Sequence, residues 1–356
     1  MPRSLVIAPQ WIGDAVMTEP LLARLAARGE TLVVAALPWV APVYRAMPAV
    51  AEVIALPFAH GRLDLKARWR LGRSWRGRFD RAYVLPNSLK AALLPWFAGV
   101  PRRIGYHGEG RVLLLNARRP DPAIRRPPMV AFYRALAEAP ETPVDLHAAV
   151  PQPALALPVE RIDAVLQRHG LARDGYWVMA PGAEYGPAKC WPVDHYADLA
   201  RTLHADSGQP VVLLGSAKEA ALAEGIAARA GAGCVVLVGR TTLDEAMAVI
   251  AGARGLVSND SGLMHVGAAF GRPQVAVFGS TSPEHTPPLN PRARVIWLKA
   301  ELALDCAPCF QRTCPLGHTR CLTAVTPQRV HAALRDALAT TGSRGQAAAR
   351  SGGDAA

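Results

Sequence analysis

The stretch Gly255-Leu256-Val257-Ser258-Asn259-Asp260-Ser261-Gly262-Leu263-Met264-His265 decides the fold of this chain. It begins with apolar residues, as a buried parallel strand does. Residues 258–262 are all turn or helix-capping types. Residues 263–270 have a helical pattern, and Gly271 and Pro273 end that helix before the next predicted strand. The stretch therefore predicts a strand, a polar turn and a helix in succession.

The predicted turn ahead of this helix suits an anion. The first backbone N–H groups of a helix have no partner within it, and the positive end of the helix dipole points the same way. In an α/β protein, a nucleotide diphosphate is the expected occupant. The alternative is a plain turn in which Asp260 or Ser261 caps the helix and no ligand binds.

Outside this stretch, strands and helices alternate along both halves of the 356-residue chain. The alternation predicts an α/β fold of two Rossmann-like, doubly wound domains that face each other across a central cleft. We expect a first domain over residues 1–150, a proline-punctuated linker over 151–160 and a second domain over 161–326. A closing helix over 327–340 and a disordered tail over 341–356 follow. The predicted strands are 5–8, 31–36, 53–56, 82–85, 177–180, 211–214, 235–238, 256–258 and 275–278, and the predicted helices include 15–28, 195–205, 218–230, 243–251 and 327–338.

Asp14 lies in the loop after the first predicted strand, at the sheet edge where open α/β sheets bind ligands. Its carboxylate can take a proton from an attacking hydroxyl. The alternative role is the N-cap of the following helix. The loop has Gly13 but no G-x-G-x-x-G pattern, which counts against a dinucleotide-binding first domain.

Two loops of the second half carry further candidates. Lys189, in the segment 181–192, can neutralise a leaving phosphate, or it can be a solvated surface lysine. Glu219 can accept hydrogen bonds from ribose hydroxyls, or it can be a favourable charge in the first turn of a helix. The chain has no Asp-x-Asp, so the usual metal–diphosphate signature of many sugar-nucleotide enzymes is missing.

Composition limits the setting in which the protein works. No apolar run reaches the ~20 residues that span a bilayer, and the apolar run at the N-terminus is too short for a signal peptide. We therefore expect a cytoplasmic protein. The net charge of +12 and the pI of about 9.9 indicate either an anionic partner or a general arginine-rich background.

Several blocks resemble the bacterial lipopolysaccharide heptosyltransferases. The N-terminal block is Trp11-Ile12-Gly13-Asp14-Ala15-Val16-Met17-Thr18, and the segments 181–192 and 258–265 resemble the family's other two blocks. Leu85-Pro86-Asn87-Ser88-x-Lys90 and Ala98-Gly99-Val100-Pro101-x-Arg103 resemble the branch that adds the second heptose. The resemblance extends from about Leu5 to Leu338.

The resemblance implies a GT-B fold and an inverting, metal-independent glycosyltransferase. Its donor would be ADP-L-glycero-D-manno-heptose and its acceptor the first heptose of the anionic lipopolysaccharide inner core. Asp14 matches the general base, Lys189 the lysine that contacts phosphate and Glu219 the ribose-binding acid. The donor site would further include Asp260, Ser261, Gly262, Met264 and His265. Glu184 and Tyr185 would lie there too, where the family's first enzyme has threonines, and the acceptor site would include Asn87, Ser88, Lys90 and Arg103.

A basic segment of the first half fits such an acceptor. We expect it to dock the glycolipid in peripheral contact with the cytoplasmic face of the inner membrane. No nucleic-acid partner is expected, although Trp69 and Trp75 interleave with the arginines as stacking platforms do. The alternative is a solvated arginine-rich surface that binds no partner. The segment comprises Arg62, Lys66, Arg68, Arg70, Arg73, Arg76, Arg78, Arg102, Arg103, Arg111, Arg118, Arg119, Arg125 and Arg126.

Four cysteines close to one another, Cys306, Cys309, Cys314 and Cys321, leave three possibilities open. They can bind zinc, stay reduced or form an occasional disulfide. We assign them no catalytic role and expect no metal to be required.

Overall fold

The structure, a computed structural model, describes residues 1–59, 62–122 and 127–340. The predicted tail over 341–356 and the arginines Arg125 and Arg126 lie outside the described residues. The chain divides into two compact units. The first unit comprises Met1–Pro158, Leu243–Met247 and Glu284–Pro287, and the second comprises Val159–Thr242, Ala248–Pro283 and Pro288–Ala356.

The first unit is built on a six-stranded parallel sheet. Its strands are β1 (Arg3–Ile7), β2 (Thr31–Ala36), β3 (Val50–Ala55), β4 (Arg81–Val84), β5 (Arg102–Tyr106) and β6 (Ala117–Arg119). Its helices are α1 (Ile12–Met17), α2 (Glu19–Ala27), α3 (Ala41–Arg45), α4 (Leu65–Ser74), α5 (Leu89–Phe97) and α6 (Met129–Arg134). A 3₁₀ turn, Ala135–Ala137, continues α6.

The second unit repeats this plan with another six-stranded parallel sheet. Its strands are β7 (Trp177–Ala180), β8 (Val211–Leu213), β9 (Cys234–Val236), β10 (Gly255–Asn259), β11 (Gln274–Val277) and β12 (Ala293–Ile296). The helices of this part of the chain are α7 (Val159–Arg168), α8 (Val193–Ser207), α9 (Ala220–Ala230), α10 (Leu243–Gly252), α11 (Gly262–Ala269), α12 (Arg320–Thr323) and α13 (Pro327–Ala339). The first half of α10, Leu243–Met247, is grouped with the first unit. Short 3₁₀ turns occupy Pro187–Lys189 and Ala217–Glu219.

Each sheet has one point at which the chain changes direction across it. The first sheet has the order β3-β2-β1-β4-β5-β6, and the second has β12-β11-β10-β7-β8-β9. The reversal lies between β1 and β4 in one and between β7 and β10 in the other. Open parallel sheets bind ligands beyond the carboxyl ends of the strands at this point. The loops after β1, β4, β7 and β10 are therefore the places for a site.

The strands that flank these points are buried on both faces, as parallel strands covered by helices must be. Leu5 and Val6 of β1 have no exposed surface, and Val178 and Val257 are each 1% exposed in the second sheet. Continuous apolar runs such as Thr31–Ala36 therefore form strands that hold the loops after them in fixed positions.

The two Rossmann-like sheets confirm the fold class that the alternation predicted. The helix expected over residues 15–28 is wrong in detail. It is two helices, α1 and α2, because Pro20 lacks the N–H that a continuous helix would need and lies instead in the first turn of α2. Strands β5, β6 and β12 were not predicted, since short segments rich in arginine hide the apolar pattern. None of the described helices combines the length and apolar character that crossing a bilayer requires.

Candidate active site

Asp14 follows β1, beside the point where the first sheet reverses direction. It lies in the first turn of α1, whose N-cap is Trp11. Asp14 is therefore not the N-cap of this helix, the alternative that the sequence left open. The buried Tyr133, from α6, lies near enough for the charge of Asp14 to raise the pKa of its phenol, after the larger effect of burial. Asp14 thus stands at the sheet edge near a buried tyrosine of a second helix.

Two buried tyrosines surround this carboxylate. Tyr133 is 4% exposed and Tyr44, from α3, is fully buried. Burial raises the pKa of both phenols, and the charge of Asp14 raises each further. The Thr18 hydroxyl lies 3.3 Å from that of Tyr44. Sequence reasoning missed both tyrosines, because an aromatic residue in a short helix gives no sign of whether its hydroxyl faces a carboxylate.

The loop after β4 carries the predicted acceptor residues Asn87, Ser88 and Lys90. The Asn87 amide donates to Asp121 at 3.0 Å and accepts from Arg111 at 3.0 Å. Ser88 is the N-cap of α5, yet its buried hydroxyl has no hydrogen-bond partner among the described atoms. The Lys90 side chain is half-buried at the start of α5. These three residues lie on the other side of the sheet's reversal point from Asp14.

Arg103 has a structural role in this unit. Its guanidinium donates to the carbonyl oxygens of Leu114 and Val100, at 2.6 Å each. Burial lowers the pKa of Arg103 from its ordinary value. The side chain therefore braces the segment between β5 and β6, which leaves fewer donors for an acceptor than the sequence suggested.

The basic segment is not one continuous surface. Arg68 and Arg111 are buried, at 6% and 1% exposed, and both donate to backbone carbonyl oxygens. Trp75 is only 3% exposed and packs in the core, so it offers no platform for a base. Trp69 is 47% exposed on α4, with Arg73 over its ring. The exposed basic face of α4 is smaller than predicted and comprises Lys66, Arg70 and Arg73.

In the second unit, the loops after β7 and β10 meet in a buried ion pair. Lys189 Nζ lies 2.6 Å from Asp260 Oδ2, and their side chains are 14% and 6% exposed. The Thr281 hydroxyl donates to the same carboxylate oxygen at 2.6 Å. The Lys189 ammonium also lies 5.0 Å from the centre of the Tyr185 ring. Lys189 is therefore not a solvated surface lysine, and Thr281 is a site residue that the sequence reading missed.

The amino end of α11 adjoins this pair. Ser261 is the N-cap, but its side chain makes no capping bond, and its buried hydroxyl has no partner among the described atoms. Gly262 begins the helix, and the Ser261 side chain makes no capping hydrogen bond to its first backbone amides. His265, 4% exposed, has its pKa lowered to about 4 by burial and by Lys189, against the opposite effect of Asp260. It is therefore a neutral imidazole at pH 7.

Asn259 ties the two loops together. Its Oδ1 accepts from the Trp191 backbone N–H and from the Tyr196 hydroxyl, at 3.0 Å each. Its amide donates to the Pro181 carbonyl oxygen at 2.5 Å. One fully buried side chain thus joins the end of β10 to the start and the end of the loop after β7. Lys189 reaches Asp260 because this amide sets the position of its loop.

Glu219 lies against the loop that follows β7. Its Oε2 accepts from the Ser216 N–H at 2.6 Å and from the Ser216 hydroxyl at 3.0 Å, which makes a capping box. Glu219 is thus an acidic residue in the first turn of a helix, the structural role that the sequence left open. The same carboxyl group lies against Gly182 so closely that a Cβ there would stand 1.7 Å from Oε1. Glu219 therefore projects over the loop that carries Lys189.

Three other residues that were predicted to bind the donor sugar nucleotide make contacts within the protein. The Glu184 carboxylate pairs with Lys218 at 2.6 Å on the surface. The Tyr185 hydroxyl donates to the Phe310 carbonyl oxygen, and the Tyr185 ring faces Lys189. Met264 is fully buried and packs with Ala276 and Phe278. The Met264 side chain belongs to the core under α11, which does not favour the predicted contact with the donor.

The loop with four cysteines supports the segment that carries Lys189. The Ala188 N–H donates to the Arg312 carbonyl oxygen at 3.0 Å, and the Arg312 guanidinium lies over the Tyr185 ring. A cavity of about 20 Å³ is lined by Cys306, Cys309, Cys314 and Cys321. All four are free thiols, and no group of three or more His, Cys, Asp or Glu side chains in the described ranges is arranged to hold a metal ion.

The thiols of this loop differ in acidity. Backbone N–H groups of residues 316–319, led by Thr319, lower the pKa of Cys314. Burial raises the pKa of Cys321 to about 11, and the three neighbouring thiols add to the effect. Cys314 is therefore the cysteine of the pair that ionises more readily.

Comparisons with known proteins agree with this arrangement. The family profile described as glycosyltransferase family 9 (heptosyltransferase) matches residues 68–320. The chain is 42% identical to lipopolysaccharide heptosyltransferase 2 of Escherichia coli K12 over 92% of this chain and 96% of that protein. The solved structure of E. coli ADP-heptose lps heptosyltransferase II superimposes with a TM-score of 0.82 at 38% identity, covering 94% of this chain and 98% of that one. E. coli heptosyltransferase WaaC with ADP, at 22% identity and a TM-score of 0.67 over 94% of this chain and 99% of that one, shares the fold. The two Rossmann-like units, each with its polar loops beside the reversal point of its sheet, are those of a glycosyltransferase, and the chain belongs to glycosyltransferase family 9, the heptosyltransferases.

Proposed function

We propose that this protein transfers L-glycero-D-manno-heptose from ADP-heptose to the first heptose of the lipopolysaccharide inner core, with inversion and without a metal ion. The observation that carries the proposal is the Lys189–Asp260 ion pair beside the amino end of α11. It places a fixed cation beside helix amides that the N-cap side chain does not bond, and a leaving diphosphate needs both a cation and N–H donors. The names of the E. coli relatives, one of them solved with ADP, support the same donor class.

The second unit holds the donor. An ammonium has three N–H donors. The 2.6 Å bond to the Asp260 carboxylate uses one, and the Asp260 backbone carbonyl oxygen, at 3.5 Å, takes a second. Because Asp260 and Tyr185 hold Lys189 in place, the remaining donor is set for the diphosphate before it arrives. The Ser261 hydroxyl and the first amides of α11 bind the same group, and Glu219 accepts from the ribose hydroxyls.

The first unit activates the acceptor. The Asp14 carboxylate takes the proton of the acceptor hydroxyl as its oxygen attacks the anomeric carbon of the donor. The bond from that carbon to the diphosphate breaks on the opposite face, so the configuration inverts. ADP leaves with its new charge next to Lys189 and the amides of α11. Asn87, Ser88 and Lys90, after β4, bind the acceptor sugar.

The enzyme works in peripheral contact with the cytoplasmic face of the inner membrane in this proposal. The exposed face of α4 carries Lys66, Arg70 and Arg73 beside Trp69. Such a face attracts the anionic head groups of a glycolipid, and the indole can enter the interface. The nucleic-acid alternative loses one of its two stacking platforms, because Trp75 is buried.

A transfer assay tests the proposed function. The purified protein should add one heptose from ADP-heptose to a core acceptor that carries one heptose, detected as the mass gain of the product. Acceptors without heptose and UDP-linked sugar donors serve as matched controls and should give no product. If the protein instead extended the heptose-free acceptor, it would belong to another branch of the family. Thermal stabilisation by single-stranded DNA, but not by ADP, would contradict the donor.

Placing alanine at Gly182 tests the donor role of Glu219. The new Cβ would stand 1.7 Å from Glu219 Oε1, so the carboxyl group must move away. We expect ADP affinity to fall roughly tenfold, which is about 1.4 kcal/mol, as measured by calorimetry. Gly225→Ala in α9 is the control, because its nearest neighbour, Arg229 Nη1, would lie 3.4 Å away. An unchanged affinity in Gly182→Ala would remove Glu219 from the donor site.

A further inference from the structure

Two exposed tryptophans lie at the carboxyl edge of the first sheet, and the proposed function uses neither of them. Trp11, which follows β1, is 55% exposed, and Trp39, which follows β2, is 42% exposed. The two strands are parallel neighbours whose ends are level, with Ile7 paired to Ala35. The Trp39 indole N–H donates to the Gln10 carbonyl oxygen at 3.0 Å. This bond holds Trp39 against the residue that precedes Trp11, so the two indoles belong to one surface.

This surface adjoins the proposed base. Trp11 is the N-cap of α1, and Asp14 lies in the first turn of the same helix. The loop after β4, which carries Asn87 and Ser88, lies on the other side of β1, because the strand order is β2-β1-β4. The tryptophans therefore border Asp14 on one side and the predicted acceptor residues border it on the other. An acceptor whose hydroxyl reaches Asp14 has both loops as neighbours.

The chemistry of the surface favours a sugar ring as its occupant. Single exposed apolar residues are common, whereas two large ones held together beside a proposed base mark a binding surface. The face of an indole is apolar and carries partial negative charge, which suits the C–H groups on one face of a pyranose. Because the Trp39 N–H is bonded to the backbone, its ring is restrained before a ligand arrives. A fatty acyl chain would also find apolar area here, but it brings no hydroxyl to Asp14.

We propose that Trp11 and Trp39 form a carbohydrate-binding platform that stacks against one face of an acceptor sugar ring and so places its hydroxyl beside Asp14. The inference rests on the proposed function, in which the Asp14 carboxylate takes the proton of that hydroxyl. Binding sites for small molecules commonly combine aromatic surface with a few placed polar groups. In this unit the indoles supply the surface, and Asp14 with the loop after β4 supplies the polar groups.

The variants Trp11→Ala and Trp39→Ala test the platform with an acyl-free core oligosaccharide that carries one heptose. We expect KM for this acceptor to rise roughly tenfold in each, the scale of one aromatic contact of about 1.4 kcal/mol. KM for ADP-heptose should be unchanged, because the proposed donor site belongs to the other unit. The Trp11 side chain makes no capping hydrogen bond, so its removal should leave α1 intact. Trp39→Phe keeps an aromatic face and should restore most of the acceptor affinity that Trp39→Ala loses.

Trp96→Ala is the matched control. Trp96 is a tryptophan of the same unit with similar exposure, 46%, but it lies in the last turn of α5, which returns toward the opposite edge of the sheet. Its acceptor KM should equal that of the parent protein. A parental acceptor KM in both Trp11→Ala and Trp39→Ala, or an equal rise in Trp96→Ala, would overturn the platform.

A sedimentation assay with vesicles of anionic phospholipid separates a sugar from a membrane. Weaker vesicle binding by Trp11→Ala and Trp39→Ala, with a parental KM for the acyl-free acceptor, would assign the surface to lipid and overturn the proposal. Raised acceptor KM with parental vesicle binding is the expected result. If the parent protein did not extend this acceptor at all, the proposed function would fail. A parent that transfers heptose, beside tryptophan variants with parental acceptor KM, would refute the platform alone.

Discussion

Replacing Asp14 by asparagine should lower kcat for heptose transfer by roughly 10²- to 10⁴-fold, the usual range for the loss of a general base. The amide keeps the size of the side chain, so the fold around α1 should persist. ADP binding should be unchanged, because Lys189 and the amino end of α11 belong to the other unit. Turnover measured under saturating substrates, together with calorimetry of ADP, checks both expectations.

The control for this variant is Glu52→Gln. Glu52 is an exposed carboxylate of the same unit, paired with Arg3 at 2.6 Å, and its neutralisation should leave turnover near the parental value. Near-parental turnover in Asp14→Asn would reject the general base. A loss of ADP affinity as large as the loss of turnover would show that Asp14 serves the donor instead.

Replacing Lys189 by methionine should weaken ADP binding by about 1.5–3 kcal/mol, the usual value of a hydrogen bond to a charged group. This corresponds to roughly a 10- to 150-fold rise in Kd, measured by calorimetry. The substitution also leaves Asp260 buried without its cation. Removing one partner of a buried pair costs about 3–5 kcal/mol of folding stability, so thermal unfolding should report a lower Tm.

The double variant Lys189→Met with Asp260→Asn separates folding from binding. It removes both charges, and the new amide can still accept from Thr281, so most of the lost stability should return. ADP binding should stay weak, because the cation is still missing. Lys299→Met, at a lysine that lies over the Trp297 ring, controls for the loss of one positive charge. Parental ADP affinity in the double variant would exclude Lys189 from the diphosphate site.

The sequence predicted the fold from its apolar runs, and the structure places them in two parallel sheets. The stretch 255–265 became β10, its turn and α11, as its residue types indicated. The structure joins Lys189 and Asp260 in an ion pair, a contact that the local sequence pattern does not predict. Their pairing depends on Asn259, whose side-chain partners lie 63 to 78 residues away and cannot be identified from local pattern.

Other residues of the site could not be predicted from sequence patterns. Tyr133, Tyr44 and Thr281 are separated from the motifs by long stretches of chain, and their residue types are common in any core. Arg103 and Trp75 looked like surface residues because arginine and tryptophan gave a basic, aromatic pattern. In the folded protein, the Arg103 guanidinium donates hydrogen bonds to backbone carbonyl oxygens and Trp75 packs in the core. Both contacts form between distant parts of the chain, so the local sequence does not predict them.

The contact between Ala188 and Arg312 has a consequence for how this enzyme can change over evolutionary time. The segment that carries Lys189 has only a single 3₁₀ turn of its own, and its backbone is bonded to a loop more than a hundred residues later. Gly186 is fixed for the same reason, since any side chain there would meet the Arg312 carbonyl at 2.5 Å. An insertion in the cysteine loop would therefore change the position of Lys189. The two segments should accordingly diverge together or remain unchanged together.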